Sequence, residues 1–130
     1  MRARRSETGS LMLFVAVVVV GLFFAFGLVL DGGYLLAARR AALNEADGAA
    51  RAGAQQVTAD SIAAGTVDLD ADGVTAAVRD FLSATGHQSS VAVDQGTVTV
   101  TVQSSYRPMV LPIGTRRVTG VGTAHAQRGI

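Results

Sequence analysis

The chain of 130 residues contains no cysteine, only two histidines and only two prolines, and all eleven of its basic residues are arginine. Without cysteine there is no disulfide framework, no thiolate metal site, no iron–sulfur cluster and no Cys nucleophile. Charge is scarce as well: 16% of residues are charged, against about 25% in an average globular domain. Eleven basic residues against ten acidic ones leave a formal charge of +1, which excludes a nucleic-acid binder that works by releasing counterions from phosphates. The length allows one domain of ordinary size, so a two-domain enzyme is excluded too. What the chain has in excess is apolar residues, 49% of the total.

That excess is concentrated between Leu11 and Leu30, where LMLFVAVVVVGLFFAFGLVL carries neither a charge nor a hydrogen-bonding side chain. As a helix this run is about 30 Å long, the thickness of a bilayer's hydrocarbon core. It has no polar stripe such as a soluble core helix would show, so it predicts a transmembrane helix. A secretory signal peptide is the competing reading, with Ala25-Phe26-Gly27 as its cleavage site, but the apolar run exceeds the usual ~7 to 15 residues. Arg2, Arg4 and Arg5 precede the span and Asp31 is the first charge after it, which orients the N-terminus to the cytoplasm. Tyr34 suits the membrane–water interface, and Gly21 with Ala25 forms a small-xxx-small pair for close helix–helix packing.

Beyond the span the chain remains Ala-rich and helix-favouring, with Gly32 and Gly33 as a candidate kink. Leu36, Leu43, Ala46, Ala50, Gly53 and Val57 make a narrow apolar stripe opposite a solvated face of Arg40, Asn44, Asp47, Arg51 and Gln55. The helical pattern fades between Ser61 and Thr66. A second amphipathic helix is expected from about Gly73, through Val74, Ala77, Val78, Phe81 and Leu82, to a cap at Gly86. From Val91 the period changes to two, and Asp94-Gln95-Gly96 reads as the turn of an antiparallel hairpin. Both prolines lie in an apolar loop from Ser104 to Arg116. A last strand follows, whose one face carries Val118, Gly120, Gly122, Ala124 and Ala126. Small side chains along a whole face permit close approach, and the Ala/Gly half of the long helix is the expected partner.

Site-like motifs are few. Asp68-Leu69-Asp70-Ala71-Asp72-Gly73 opens like a calcium loop, with Asp68, Asp70 and Asp72 as candidate ligands, yet its twelfth position is Arg79 where a bidentate carboxylate belongs. A helix cap supplied by Asp70 or Asp72 is the simpler reading. His87 and His125 read as ordinary surface or strand residues, and no G-x-S-x-G, H-E-x-x-H or Walker-type loop occurs. No catalytic residue, cofactor or small-molecule substrate is expected.

The Arg-rich start, Gly9 ahead of the apolar span, Asp31-Gly32-Gly33 and the Ala-rich AARRAALNEADGAARAGA together resemble the TadE/TadG-like proteins of the tight-adherence (Flp) pilus system, in the style of actinobacterial members. The specific part is residues 4 to 54. The resemblance implies a minor pilin or pilin-like assembly protein whose partners are the membrane and other pilus or Tad secretion-system proteins. It also implies a prepilin peptidase that would cut between Gly9 and Ser10. Pilins and the TadE members usually carry Glu at the fifth mature position, where this chain, like TadG-like members, lacks it and has Phe14, while Glu7 lies on the other side of the cut. That departure argues against a major filament subunit.

The expected protein is therefore α+β. A basic cytoplasmic leader (1–9) precedes a transmembrane helix (10–31), an extended extracytoplasmic helix (32–60) and a small pilin-like module (61–130) with one short helix and about three antiparallel strands. It is expected to be single-pass in the cell membrane, or incorporated in a surface pilus. Alternative readings are a membrane-anchored extracytoplasmic binding module dependent on calcium, and a secreted factor released after Gly27.

Overall fold

A computed structural model describes residues 4–127. Arg2 and the rest of the first three residues of the expected leader lie outside the described residues. The element order is α1 (Arg4–Ala54), α2 (Ala59–Ala64), α3 (Ala71–Leu82), β1 (Gln88–Asp94), β2 (Thr97–Tyr106) and β3 (Arg116–His125). Helix α1 runs unbroken for 51 residues, about 75 Å at the standard rise. Gly32 and Gly33 do not interrupt it: the strong helix formers that follow offset the roughly 1 kcal/mol that each glycine costs.

The three strands form one antiparallel sheet in the order β1-β2-β3, with Val91 opposite Val100 and Val100 opposite Gly122. The β1–β2 hairpin closes through two residues, Gln95 (φ 40°) and Gly96 (φ 83°). Positive φ at both central positions is what a type I′ turn needs to match the right-handed strand twist. Alternation along β2 sends Val98, Val100 and Val102 into the core, each with no exposed surface, where full burial of a valine is worth about 1.5–3 kcal/mol.

That core is enclosed by the second half of α1, by the sheet and by α3, which contributes Val74, Val78 and Leu82. Two glycines of α1 admit α3. Gly48 lies under the Phe81 ring, and Gly53 sits where side chains of Val74, Val78 and Val98 converge. Against β3 the approach is closer still. A Cβ on Gly120 would overlap the carbonyl of Ala42, and one on Gly122 the carbonyl of Ala46. The strand thus lies directly on the helix backbone, as the small-residue faces of both elements suggest.

This contact corrects the expected stripe on α1. The buried positions are Ala42, Ala46, Ala49, Ala50, Gly53 and Ala54, while Leu36 and Leu43 are 50% and 37% exposed. A leucine on the seam would hold the sheet away, so alanine takes the seam and leucine the flank. Further differences concern boundaries. Helix α1 stops at Ala54 rather than near residue 60, because Val57 pairs with Leu69 in an isolated antiparallel bridge. Helical character, expected to fade between Ser61 and Thr66, persists to Ala64 in α2 (Ala59–Ala64), which Thr58 caps at its N-terminus and Gly65 (φ 70°) at its C-terminus. Helix α3 ends at Leu82, and Gly86 (φ 66°) ends the turn that follows it. Phe81, expected within the apolar face, covers Gly48 and remains 48% exposed.

Replacing Gly122 by Leu should destabilise the domain by more than about 3 kcal/mol, since neither backbone can yield to the new side chain. Val121→Leu, on the exposed face one residue earlier, should cost less than about 0.5 kcal/mol. Chemical unfolding of the two full-length variants in detergent micelles measures the difference.

Candidate functional site: the exposed helix and its clasp

Among the described residues, α1 is the one helix long and apolar enough to cross a membrane. Only 6% of its most apolar 18-residue window is buried. Phe14, Phe23, Phe24 and Phe26 are all more than 60% exposed. In water such a surface would be a severe liability; in lipid or among other helices it is the ordinary state of a spanning segment. Gly21 and Ala25 both lie on this uncovered surface, and a Cβ on Gly21 would meet nothing within 4 Å. Gly9 and Ser10 are likewise exposed in the first part of the helix.

The uncovered surface is interrupted at Gly27 and Asp31, one helical turn apart. Gly27 is buried because Val110 lies over it, its Cγ1 only 2.5 Å from where a glycine Cβ would stand. Asp31 is 4% exposed. Its Oδ1 accepts a hydrogen bond from the Met109 backbone N–H (3.2 Å), and its Oδ2 accepts from those of Val110 (3.2 Å) and Leu111 (2.7 Å). Three consecutive amides of a proline-flanked loop have no ladder partner of their own, and the carboxylate satisfies all three as an anion held in a backbone nest. The β2–β3 connection is thereby clasped to the helix at the end of its apolar run.

Tyr106, the last residue of β2, stands beside the clasp. Its hydroxyl is buried beside the Asp31 carboxylate. Burial pushes the Tyr106 phenol above its ordinary pKa, and the neighbouring Asp31 carboxylate and Tyr34 add to the rise.

A second polar link lies higher on the helix. His87 Nδ1 is 2.8 Å from Glu45 Oε2, and His87 Nε2 is 3.3 Å from Ser104 Oγ. Hydroxyl, imidazole and carboxylate in this order are the parts of a nucleophilic triad. Here the Ser104 contact is long, and Ser104 lies within the β2–β3 ladder opposite Val118 rather than on the sharp turn that presents a nucleophile. The arrangement instead braces the start of β1 and the middle of the sheet against α1.

The candidate calcium ligands are not brought together. Asp70 is the N-cap of α3, with Oδ1 accepting from the Asp72 N–H at 3.2 Å, and the Asp68 carbonyl accepts from Thr58 N–H. No group of three or more His, Asp or Glu side chains suited to a metal occurs among the described residues. His125 is exposed on β3 and contacts Thr97 Oγ1 at 2.9 Å. Sequence reasoning missed Asp31 as a functional group and His87 as a brace. The one local signal for Asp31 was an acid placed immediately after a long apolar run.

Residues 9–56 match a family model described as putative Flp pilus-assembly TadE/G-like. This stretch is similar to TadE/G-like pilus-assembly proteins. The match begins at Gly9 and ends two residues past α1, so the Tad-like segment comprises the apolar surface, the Gly27–Asp31 notch and the alanine seam. It supports a pilus-assembly-related protein of a structural rather than enzymatic family, and the single apolar helix fits a single-pass membrane protein of such a system. No curated protein and no solved structure matches the chain.

Asp31→Asn leaves one carbonyl oxygen for three amides and turns an amino group toward them. It should cost roughly 2–3 kcal/mol and lower the unfolding midpoint measured by circular dichroism in micelles. Tyr106 supplies a pH test. Because the folded state favours the neutral phenol, its contribution is intact below pH 10.0 and is lost as pH rises above that value. The chain has no lysine or cysteine to titrate in the same range. Stability should therefore fall as pH rises above 10.0, and Tyr106→Phe should flatten that fall.

Proposed function

We propose that the chain is a membrane-anchored minor pilin or pilin-like assembly component of a Flp/Tad-type surface pilus, acting through helix packing and protein–protein contacts. The observation that carries this reading is the continuity of α1: one Tad-like helix presents an uncovered apolar surface along its first half and forms the floor of a folded module along its second. A rigid connection of that kind transmits the position of the membrane helix directly to the exported module. Arg4 and Arg5 before the span and Asp31 after it favour an N-terminus in the cytoplasm and the module outside the membrane.

The exposed face containing Gly21 and Ala25 is where a neighbouring Tad-system helix would approach closest, since small residues let two backbones come together. Processing by a prepilin peptidase between Gly9 and Ser10 belongs to the same reading, with Phe14 in place of the usual Glu favouring an accessory over a principal subunit. The leader (1–9), span (10–31), extended helix and module (61–130) then take the roles of address, anchor, strut and contact surface.

The mass of the protein recovered from native membranes tests the proposal. A chain beginning at Ser10 supports pilin-type processing. An intact N-terminus removes the pilin role and leaves a permanently anchored assembly factor. A chain beginning at Leu28 overturns the anchor and makes the apolar run a signal.

A further inference from the structure

The connection between β2 and β3 carries no charge from Pro108 to Thr115, and its apolar side chains are largely uncovered. Met109 is 83% exposed, Val110 52% and Ile113 51%. Such a tip would ordinarily require a protein partner. Its position points elsewhere. Val110 rests on Gly27, within the apolar run itself, and helical spacing places Phe23, Phe24 and Leu30 around the same notch, all exposed. The tip therefore lies alongside the last turn of the segment that fits a membrane.

The base of the loop has the opposite character. Tyr106 pairs with Arg116 across the β2–β3 ladder, and Arg107, Arg116 and Arg117 are all exposed there. Tyr34 lies one turn beyond Asp31 on the helix, near Tyr106. Apolar tip, aromatic and basic neck follow one another along the membrane normal in the order of acyl chains, interface and lipid phosphates.

We propose that the Pro108–Thr115 loop is a second membrane anchor, inserting Met109, Val110 and Ile113 into the lipid leaflet beside the Asp31 end of α1. Arg107, Arg116 and Arg117 face the phosphates. The inference rests on the reading that α1 spans the membrane. It also accounts for the burial of Asp31. A bare carboxylate at the edge of hydrocarbon is costly, and here the inserting loop covers it and supplies its donors from three amides. Two attachments, the helix and the loop, would fix the tilt and rotation of the module on the membrane, which a single helix leaves free.

The chain lacks cysteine, so single-cysteine variants of the full-length protein can be labelled cleanly. Met109→Cys, Val20→Cys in the apolar run and Asp94→Cys at the β1–β2 hairpin would each carry an environment-sensitive fluorophore. Each would be reconstituted in vesicles of phosphatidylcholine and phosphatidylglycerol. Emission from position 109 should be quenched by acyl-chain spin labels placed near the headgroup and resist aqueous iodide; position 94 should show the reverse. If position 109 is quenched by iodide while position 20 is lipid-protected, the loop inference fails and the anchor reading stands. If position 109 resists both quenchers, a protein surface covers the loop, and the lipid assignment is overturned. Iodide quenching at position 20 overturns the anchor reading and the loop with it.

Discussion

The carbonyl groups of Ala42 and Ala46 occupy the space in which any side chain on Gly120 or Gly122 would have to stand. Contact between a strand and a helix backbone at this range sets the other dimensions of the module. It fixes how near β2 comes to α1, and so the depth of the layer that Val98, Val100 and Val102 fill. It also restricts the helix seam to Ala and Gly, which moves Leu36 and Leu43 to the flank. Alanine suits both demands made of α1, since it has the best helix propensity and adds little thickness to the seam.

The same helix carries two kinds of surface. Along its first half the backbone hydrogen bonds are satisfied internally and the side chains are apolar on every face, as hydrocarbon requires. Along its second half one face is packed and the other is charged. The change occurs at Asp31, where a carboxylate, a phenol and three loop amides meet. A charge at that boundary is tolerable because the loop removes it from contact with its surroundings while neutralising it with oriented N–H dipoles. The contact joins residues 78 to 80 positions apart in the chain, so it also ties the far end of the sheet to the first half of α1.

Much of this was legible in the residues because the signals are local and periodic. Twenty apolar residues in a row, the alternation of Val and Thr through residues 97–102, and a Gly at a two-residue turn each have one dominant structural outcome. The Gly/Ala face of the last strand even indicated its partner. The boundary at Ala54 was not legible, since Gln55 to Asp60 is compatible with continued helix until Val57 is drawn into its bridge with Leu69. His87 and Glu45 showed no sign of being neighbours, as they are 42 residues apart and neither belongs to a recognised spacing. The Asp68–Asp72 carboxylates were ambiguous for the converse reason, and the helix cap was the simpler of their two readings. Close spacing in sequence suggested convergence, while the start of α3 used one of them as a cap.

By itself the sequence determined the class of the protein. A spanning-length apolar run followed by an Ala-rich helix and valine-alternating strands can bury its surfaces in few ways, and the Tad-like segment is recognisable from those same residues. Only the tertiary structure decided that Asp31 is a clasp rather than a solvated boundary charge, and that an uncharged loop lies beside the apolar part of α1. The physical reason is range. Helix and strand propensities act over a few residues and can be read along the chain, whereas a buried carboxylate finds its donors wherever folding leaves three amides unpaired, and no short-range pattern records where that is.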